Sequence, residues 1–183
     1  MVLIEKDNST LFVIDVQGKL LPAVQSPQQT LSTTLALVKV AQMLEVPIAY
    51  SEQYPQGLGA TEESLLKLLE GQAERFEKKS FSCVSEPSIK TALAQWNRKQ
   101  IIVTGMETHV CVLQTVLELS EMGFQVFVVE DAVSSRKERD KDLALQRMQK
   151  SEVTLVTKEM VMFEWLKRAD HPAFKEISKE FIR

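Results

Sequence analysis

The chain has 183 residues, of which 44% are hydrophobic and 26% charged, and its formal net charge is −3. These values are typical of one globular domain, predicted to span residues 1–183, and they provide no basic surface for the phosphate backbone of a nucleic acid. No apolar run approaches the roughly 20 residues that cross a bilayer. Residues 1–10 lack the pattern of a signal peptide, so the sequence favours a cytoplasmic protein with no membrane partner.

Short apolar runs alternate with segments of helical periodicity along the chain. The first run is interrupted only by Asp15 near its carboxyl end, a pattern typical of a strand buried on both faces. Because parallel strands need crossover connections that cover both faces of a sheet, the alternation predicts an α/β fold with a parallel sheet between helices. Strands are predicted at 10–16, 46–50, 74–80, 101–104, 125–130 and 153–156, helices at 28–45, 61–69, 87–97, 112–117, 143–148, 160–166 and 173–181, and a loop at 51–60.

Four reactive or charged side chains fall at or just beyond the predicted carboxyl ends of four strands. They are Asp15, Glu52, Lys78 and Cys111. Ligands of open parallel sheets bind outside this edge, near the point where the strand order reverses. The sequence therefore predicts that these residues converge on one pocket.

Cys111 follows a predicted strand and the turn expected at Gly105, and it enters the next helical segment. The positive end of a helix dipole and the unpaired N–H groups there favour a thiolate and could also hold a developing oxyanion. This position suits a nucleophile. Simple burial is an equally good interpretation of the position alone, because free cysteine is among the residue types most often found in cores.

A thiol nucleophile needs a group that accepts its proton. Asp15 could serve, since burial would raise its pKa while a neighbouring Lys78 would lower it. Taken singly these signals are weak, because an aspartate at a strand end is often a helix cap or a turn residue, and Lys78 is by default a surface lysine. A dyad of Cys111 with His109 is less favoured, because side chains two residues apart on a helix diverge.

Several segments, taken together and in order, resemble the isochorismatase-like cysteine hydrolase superfamily, and most of all its isochorismatase domain-containing subgroup. The resemblance implies a Rossmann-like three-layer α/β/α sandwich with a six-stranded parallel sheet in the order 3-2-1-4-5-6. The segments are LFVIDVQ (11–17), EVPIAYSEQYPQGLG (45–59), KKSFSCV (78–84), TGMETHVCV (104–112), VVEDAVSSR (128–136) and HPAFKEI (171–177).

The resemblance implies a catalytic triad of Asp15, Lys78 and Cys111, with Lys79 as the less favoured neighbour of Lys78. It also implies a cis peptide bond between Met106 and Glu107. In the family this bond turns the backbone N–H of the second residue toward the oxyanion. Glu107 and Cys111 would therefore form the oxyanion hole.

Two departures from related enzymes narrow the implied chemistry. Isochorismatases that cleave a vinyl ether lack the cysteine that stands here as Cys111. Nicotinamidases bind a metal through an Asp-x-His pattern, whereas this chain has Ser51, Glu52 and Gln53 at that point. We therefore predict a hydrolase that uses no metal and no cofactor.

The predicted function is cysteine-dependent hydrolysis of a C–N bond in a small amide, ureido or carbamoyl-type substrate through a thioester. A non-catalytic small-molecule-binding or regulatory protein is the alternative, and redox sensing by Cys111 with Cys83 is a third possibility. The resemblance implies a homo-oligomer, a dimer or larger. The residues predicted to line the pocket are Gln17, Glu52, Tyr54, Phe81, Thr108 and His109.

Overall fold

The computed structural model describes residues 2–182, so residues 1 and 183 of the predicted domain lie outside it. Six strands form one parallel sheet in the order β3-β2-β1-β4-β5-β6, which confirms the predicted fold class and strand order. The strands are β1 (Ser9–Ile14), β2 (Ile48–Gln53), β3 (Glu74–Lys78), β4 (Gln100–Met106), β5 (Gln125–Ser134) and β6 (Thr154–Val156). The helices are α1 (Pro27–Met43), α2 (Pro55–Leu58), α3 (Glu63–Leu69), α4 (Pro87–Gln95), α5 (Leu113–Glu121), α6 (Glu138–Gln149), α7 (Lys158–Leu166) and α8 (Phe174–Ile177).

Both faces of the sheet are covered, and successive residues of β1 contribute to different cores. Leu11 and Val13 pack on the side of α1, α3 and α7, which we call the α1 face. Phe12 and Ile14 pack on the side of α4, α5 and α6, which we call the α5 face. This double burial explains why β1 is an almost continuous apolar run. Within residues 2–182, no helix combines the length and the apolar character needed to cross a bilayer.

The carboxyl ends of β1 to β5 all differ by two to four residues from their predicted positions, and those of β1 and β2 matter most for the site. β1 stops at Ile14, and Asp15 has a left-handed backbone with φ of 52°. β2 continues to Gln53, where a loop was predicted, because its residues pair with β3 as far as Lys78. Residues 51–53 are polar, so the apolar pattern did not predict this part of the strand. Successive side chains of the extended strand point to opposite faces of the sheet, so only alternate residues face the site.

Gly105 lies inside β4, so the turn predicted at this residue is wrong. It pairs with Ile14 of β1 and with Val133 of β5. Its φ is +117°, and a Cβ atom there would lie 1.9 Å from the carbonyl oxygen of Ile14. Only glycine allows the backbones of β4 and β1 to approach so closely. This contact holds the carboxyl end of β4 beside Ile14, the residue before Asp15.

Candidate active site

Asp15, Lys78 and Cys111 lie together at the carboxyl edge of the sheet. Asp15 directly follows β1, Lys78 ends β3, and Cys111 lies in a π-type turn, Thr108–Val112, between β4 and α5. Lys78 Nζ is 2.7 Å from Asp15 Oδ2, and neither side chain is exposed. Cys111 is close enough to this ion pair that the charges of Asp15 and Lys78 both act on the pKa of its thiol. Three residues that are far apart in sequence thus form one buried cluster.

The Asp15 carboxylate is held from β2. Ser51 Oγ donates a hydrogen bond to Asp15 Oδ1 at 2.8 Å, and the Asp15 N–H donates to the Ser51 carbonyl oxygen at 3.1 Å. Burial raises the pKa of Asp15, although the positive charge of Lys78 and the hydrogen bonds from neighbouring groups oppose the rise. A buried carboxylate with a raised pKa is a better base than an exposed one.

The Lys78 ammonium is surrounded by oxygen atoms. It donates to Gln53 Oε1 at 2.6 Å, to the Phe81 carbonyl at 3.0 Å and to the Ser80 carbonyl at 3.2 Å. Burial is the largest single influence and disfavours its charge, but Asp15 and the sulfur atoms of Cys83 and Cys111 together outweigh burial and raise the pKa of Lys78. Lys78 is therefore a fixed cation at neutral pH. The neighbouring Lys79 is exposed and does not reach this cluster.

Cys111 is 6% exposed, and burial raises the pKa of its thiol to about 12. The negative charge of Asp15 adds to this rise, while Lys78 opposes it. The expectation that a helix start makes Cys111 a thiolate is therefore wrong. The residue precedes α5, which begins at Leu113, and desolvation is the dominant effect at its sulfur.

The turn before Cys111 is tied to its surroundings at several points. The peptide bond between Met106 and Glu107 is cis. Glu107 Oε2 accepts hydrogen bonds from the backbone N and from Nε of Arg136, at 3.1 and 2.9 Å. His109 Nδ1 lies 2.9 Å from Ser135 Oγ. Thr108 Oγ1 is buried and has no hydrogen-bond partner among residues 2–182.

Two of the predicted pocket residues are exposed aromatics beside Lys78. Tyr54 is 49% exposed, and its N–H donates to the Lys78 carbonyl at 2.8 Å. Phe81 is 55% exposed, and its carbonyl accepts from the ammonium. A surface cavity of about 250 Å³ adjoins Tyr54 and the backbone of β3. A cavity of about 540 Å³ lies at the opposite edge of the sheet, beside Gly123 and Thr154, and contains none of the predicted site residues.

Glu52 and Gln17 do not face the cluster, which corrects two predictions. Glu52 points to the α1 face, because successive residues of β2 alternate between faces, and its carboxylate binds Thr61 and Arg75. Gln17 is buried, and its amide is occupied by the backbone of Gln53 and Gly59. Through these hydrogen bonds, Glu52 and Gln17 connect chain segments that surround the site.

Sequence reasoning gave Ser51 and Gln53 no place in the site, and it considered Cys83 only as a redox partner of Cys111. Cys83 is completely buried, its thiol donates to Ser51 Oγ at 3.6 Å, and burial raises its pKa to about 12. Both cysteines of the chain are free thiols. Across residues 2–182, no three His, Cys, Asp or Glu side chains are grouped as a metal site would require. An extended β2 would have revealed Ser51 and Gln53, since they share the face opposite to Glu52.

Comparison with known proteins relates this geometry to a family. The model of the isochorismatase domain matches residues 9–160. Isochorismatase domain-containing protein 2B of Mus musculus is 41% identical over 175 residues, which cover 94% of this chain and 80% of the mouse protein. The structure of MAR1 ribonuclease from Caenorhabditis elegans matches with a TM-score of 0.93 and 36% identity, covering 100% of this chain and 93% of that chain. YcaC from Pseudomonas aeruginosa, solved with hexane-2,5-diol and covalent acrylamide, matches with a TM-score of 0.90 and 26% identity, covering 96% and 90% of the two chains.

Proposed function

Because the chain belongs to the isochorismatase family, whose fold is that of a hydrolase, we propose that it is a cysteine-dependent hydrolase of a small C–N substrate. The substrate class is an amide, ureido or carbamoyl-type compound, and the intermediate is a thioester on Cys111. The observation that supports this proposal most directly is the buried cluster of Asp15, Lys78 and Cys111, in which a carboxylate with a raised pKa lies near a thiol that burial keeps protonated.

The first half of the reaction transfers the acyl group to sulfur. As Cys111 Sγ attacks the acyl carbon, Asp15 accepts the thiol proton. The backbone N–H groups of Glu107 and Cys111 bind the oxyanion that forms on the acyl oxygen. Asp15 then returns the proton to the nitrogen as the C–N bond breaks, and the amine leaves.

The second half releases the acid. A water molecule donates a proton to Asp15 and attacks the thioester carbon, and the C–S bond breaks as the sulfur regains that proton. The positive charge of Lys78 opposes the effect of burial on the pKa of Asp15 and so favours the ionised form that accepts the proton. Since the pKa of Cys111 is about 12, little thiolate exists before the attack, so proton transfer has to accompany formation of the S–C bond.

The test is a panel of small amides, ureido compounds and carbamoyl derivatives, assayed with native protein, Cys111→Ala and Cys111→Ser. We expect turnover of any substrate to fall at least about a thousandfold in both variants, and a thioester adduct to be visible by mass spectrometry in native protein only. Ser9→Ala, at the start of β1 and at the opposite end of the strand from Asp15, is the control and keeps its activity. Full activity in Cys111→Ala would eliminate the mechanism.

The panel also includes single-stranded RNA, because the C. elegans relative is a ribonuclease. We favour a small substrate, since the net charge is −3 and Cys111 is only 6% exposed. RNA cleavage that depends on Cys111 would replace the proposed substrate class. A lack of turnover across the panel, together with sluggish alkylation of Cys111 at every pH, would favour the non-catalytic binding protein. The homo-oligomeric state stays a prediction, which light scattering of the native protein tests.

A further inference from the structure

Ser51 contacts Asp15 through both its backbone and its side chain. It is buried on β2, on the same face as Gln53. Its carbonyl accepts the Asp15 N–H, which helps to hold this residue in its left-handed conformation with φ of 52°. Its hydroxyl donates to Asp15 Oδ1 at 2.8 Å. Truncation of the hydroxyl alone would leave the backbone contact in place.

The two oxygens of Asp15 have different surroundings. Oδ1 is occupied by the Ser51 hydroxyl. Oδ2 lies 2.7 Å from Lys78 Nζ, but the ammonium has three other acceptors for its three protons, and Oδ2 has no well-directed hydrogen bond from residues 2–182. Oδ2 is thus next to a positive charge and still has a lone pair available.

We propose that Ser51 is a positioning residue that fixes the Asp15 carboxylate so that Oδ2 receives the Cys111 proton. This inference rests on the proposed cysteine chemistry. Without the hydroxyl, the carboxylate rotates about its Cβ–Cγ bond, and Oδ1 becomes a buried acceptor that lacks a donor. The ionised form of Asp15 then loses a hydrogen bond that stabilises it.

Alkylation of Cys111 by acrylamide provides a test that needs no known substrate. The reaction forms a bond between Sγ and the terminal alkene carbon of the reagent, and the thiol proton passes through Asp15 to the adjacent carbon. The rate is followed by intact-protein mass spectrometry across pH, with Cys111→Ala as the blank. In native protein we expect the rate to fall on the acidic side as Asp15 becomes protonated.

Ser51→Ala is expected to lower the maximal alkylation rate about tenfold. It should also move the acidic limb of the pH–rate profile, the range in which the rate falls toward low pH, up by about one pH unit, because the carboxylate loses a hydrogen-bond donor. Ser51→Thr, which restores a hydroxyl, returns the limb toward its native position. Ser9→Ala is the matched control. Ser9 is a buried serine at the start of β1 whose hydroxyl donates to the Glu5 carbonyl at 2.7 Å, so its loss lowers stability without moving the limb.

An unshifted limb and a native rate in folded Ser51→Ala would overturn the proposal. If Ser51→Ala does not fold, Ser51→Cys has to give an intermediate shift, since it keeps a weaker donor of similar size, and an unshifted limb there is equally decisive. The two proposals fail in distinguishable ways. Turnover that survives Cys111→Ala eliminates the cysteine chemistry, whereas an essential Cys111 with a normal Ser51→Ala profile eliminates only the role of Ser51.

Discussion

Two ion pairs at the same edge of the sheet differ in what their carboxylates can do. Asp15 and Lys78 pair at 2.7 Å on the α5 face, and neither side chain is exposed. Glu52 and Arg75 also pair at 2.7 Å, on the α1 face, with Glu52 1% and Arg75 47% exposed. The pKa of Asp15 is raised by burial. Burial acts on Glu52 as well, but hydrogen bonds from Thr61 and Arg75 outweigh it and lower the pKa.

The difference lies in how many donors each carboxylate receives. Glu52 accepts two hydrogen bonds from Thr61 on one oxygen and two from Arg75 on the other. Asp15 has one hydroxyl donor on Oδ1 and a shared ammonium beside Oδ2. A carboxylate whose lone pairs are filled stabilises the fold, while one with an unfilled oxygen can accept a proton. The number of hydrogen-bond donors therefore distinguishes an ion pair that stabilises the fold from one whose carboxylate can accept a proton.

Replacing the cation of each ion pair with methionine should give the largest difference between the two pairs in the alkylation rate of Cys111. Lys78→Met removes the positive charge that favours the ionised form of Asp15, so we expect acrylamide alkylation of Cys111 at pH 7 to slow at least about a hundredfold. Arg75→Met acts on the other face and should change that rate by less than about twofold. Rate constants from mass spectrometry provide the comparison. Equal losses in both variants would mean that the two pairs are not functionally distinct.

Neutralising the structural carboxylate should affect stability. In Glu52→Gln, the side chain presents an amide N–H₂ to Arg75, so hydrogen bonds to a charged acceptor are lost. We expect the free energy of unfolding at pH 7 to fall by about 2 kcal/mol, with alkylation of Cys111 nearly unchanged. Urea denaturation of both proteins measures the difference. An unchanged midpoint would show that the pair contributes little.

The same pair predicts a smaller effect of pH. Since the pKa of Glu52 is lower in the folded state than in the unfolded chain, the stability it contributes is complete above the unfolded value of about 4.3 and is lost as pH falls through the folded pKa. The stability difference between native protein and Glu52→Gln should hold from pH 7 to 5 and shrink below about pH 4. A difference that grows toward acid pH would contradict the lowered pKa.

Much of the site followed from the sequence, because one rule about parallel sheets applied to three residues. Asp15, Lys78 and Cys111 each lie at or beyond the carboxyl end of a strand, and the carboxyl ends of parallel strands meet at one edge. Glu52 also lies at the carboxyl end of a strand, but its side chain points away from Asp15, Lys78 and Cys111. Its direction depends on the parity of a strand that continues through polar residues, which an apolar pattern does not reveal.

The pKa of Cys111 and the role of Ser51 were beyond sequence reasoning for a different reason. Desolvation of the thiol arises from side chains of several distant elements, so position at a helix start gave the wrong direction. Ser51 is a common small residue, and only its 2.8 Å contact with Asp15 distinguishes it from a packed serine. Properties that depend on packing across elements required the structure.

The close contact between Gly105 and Ile14 bears on how such an enzyme evolves. The strand that leads to Asp15 and the strand that leads to the Glu107 turn meet at a point that admits no side chain. Substitution there disrupts the sheet before it can adjust the geometry of the reaction. The exposed side chains of Tyr54 and Phe81 carry no such restriction. We expect relatives to diverge in substrate preference through residues at the rim, while the proposed catalytic residues beneath keep their spacing.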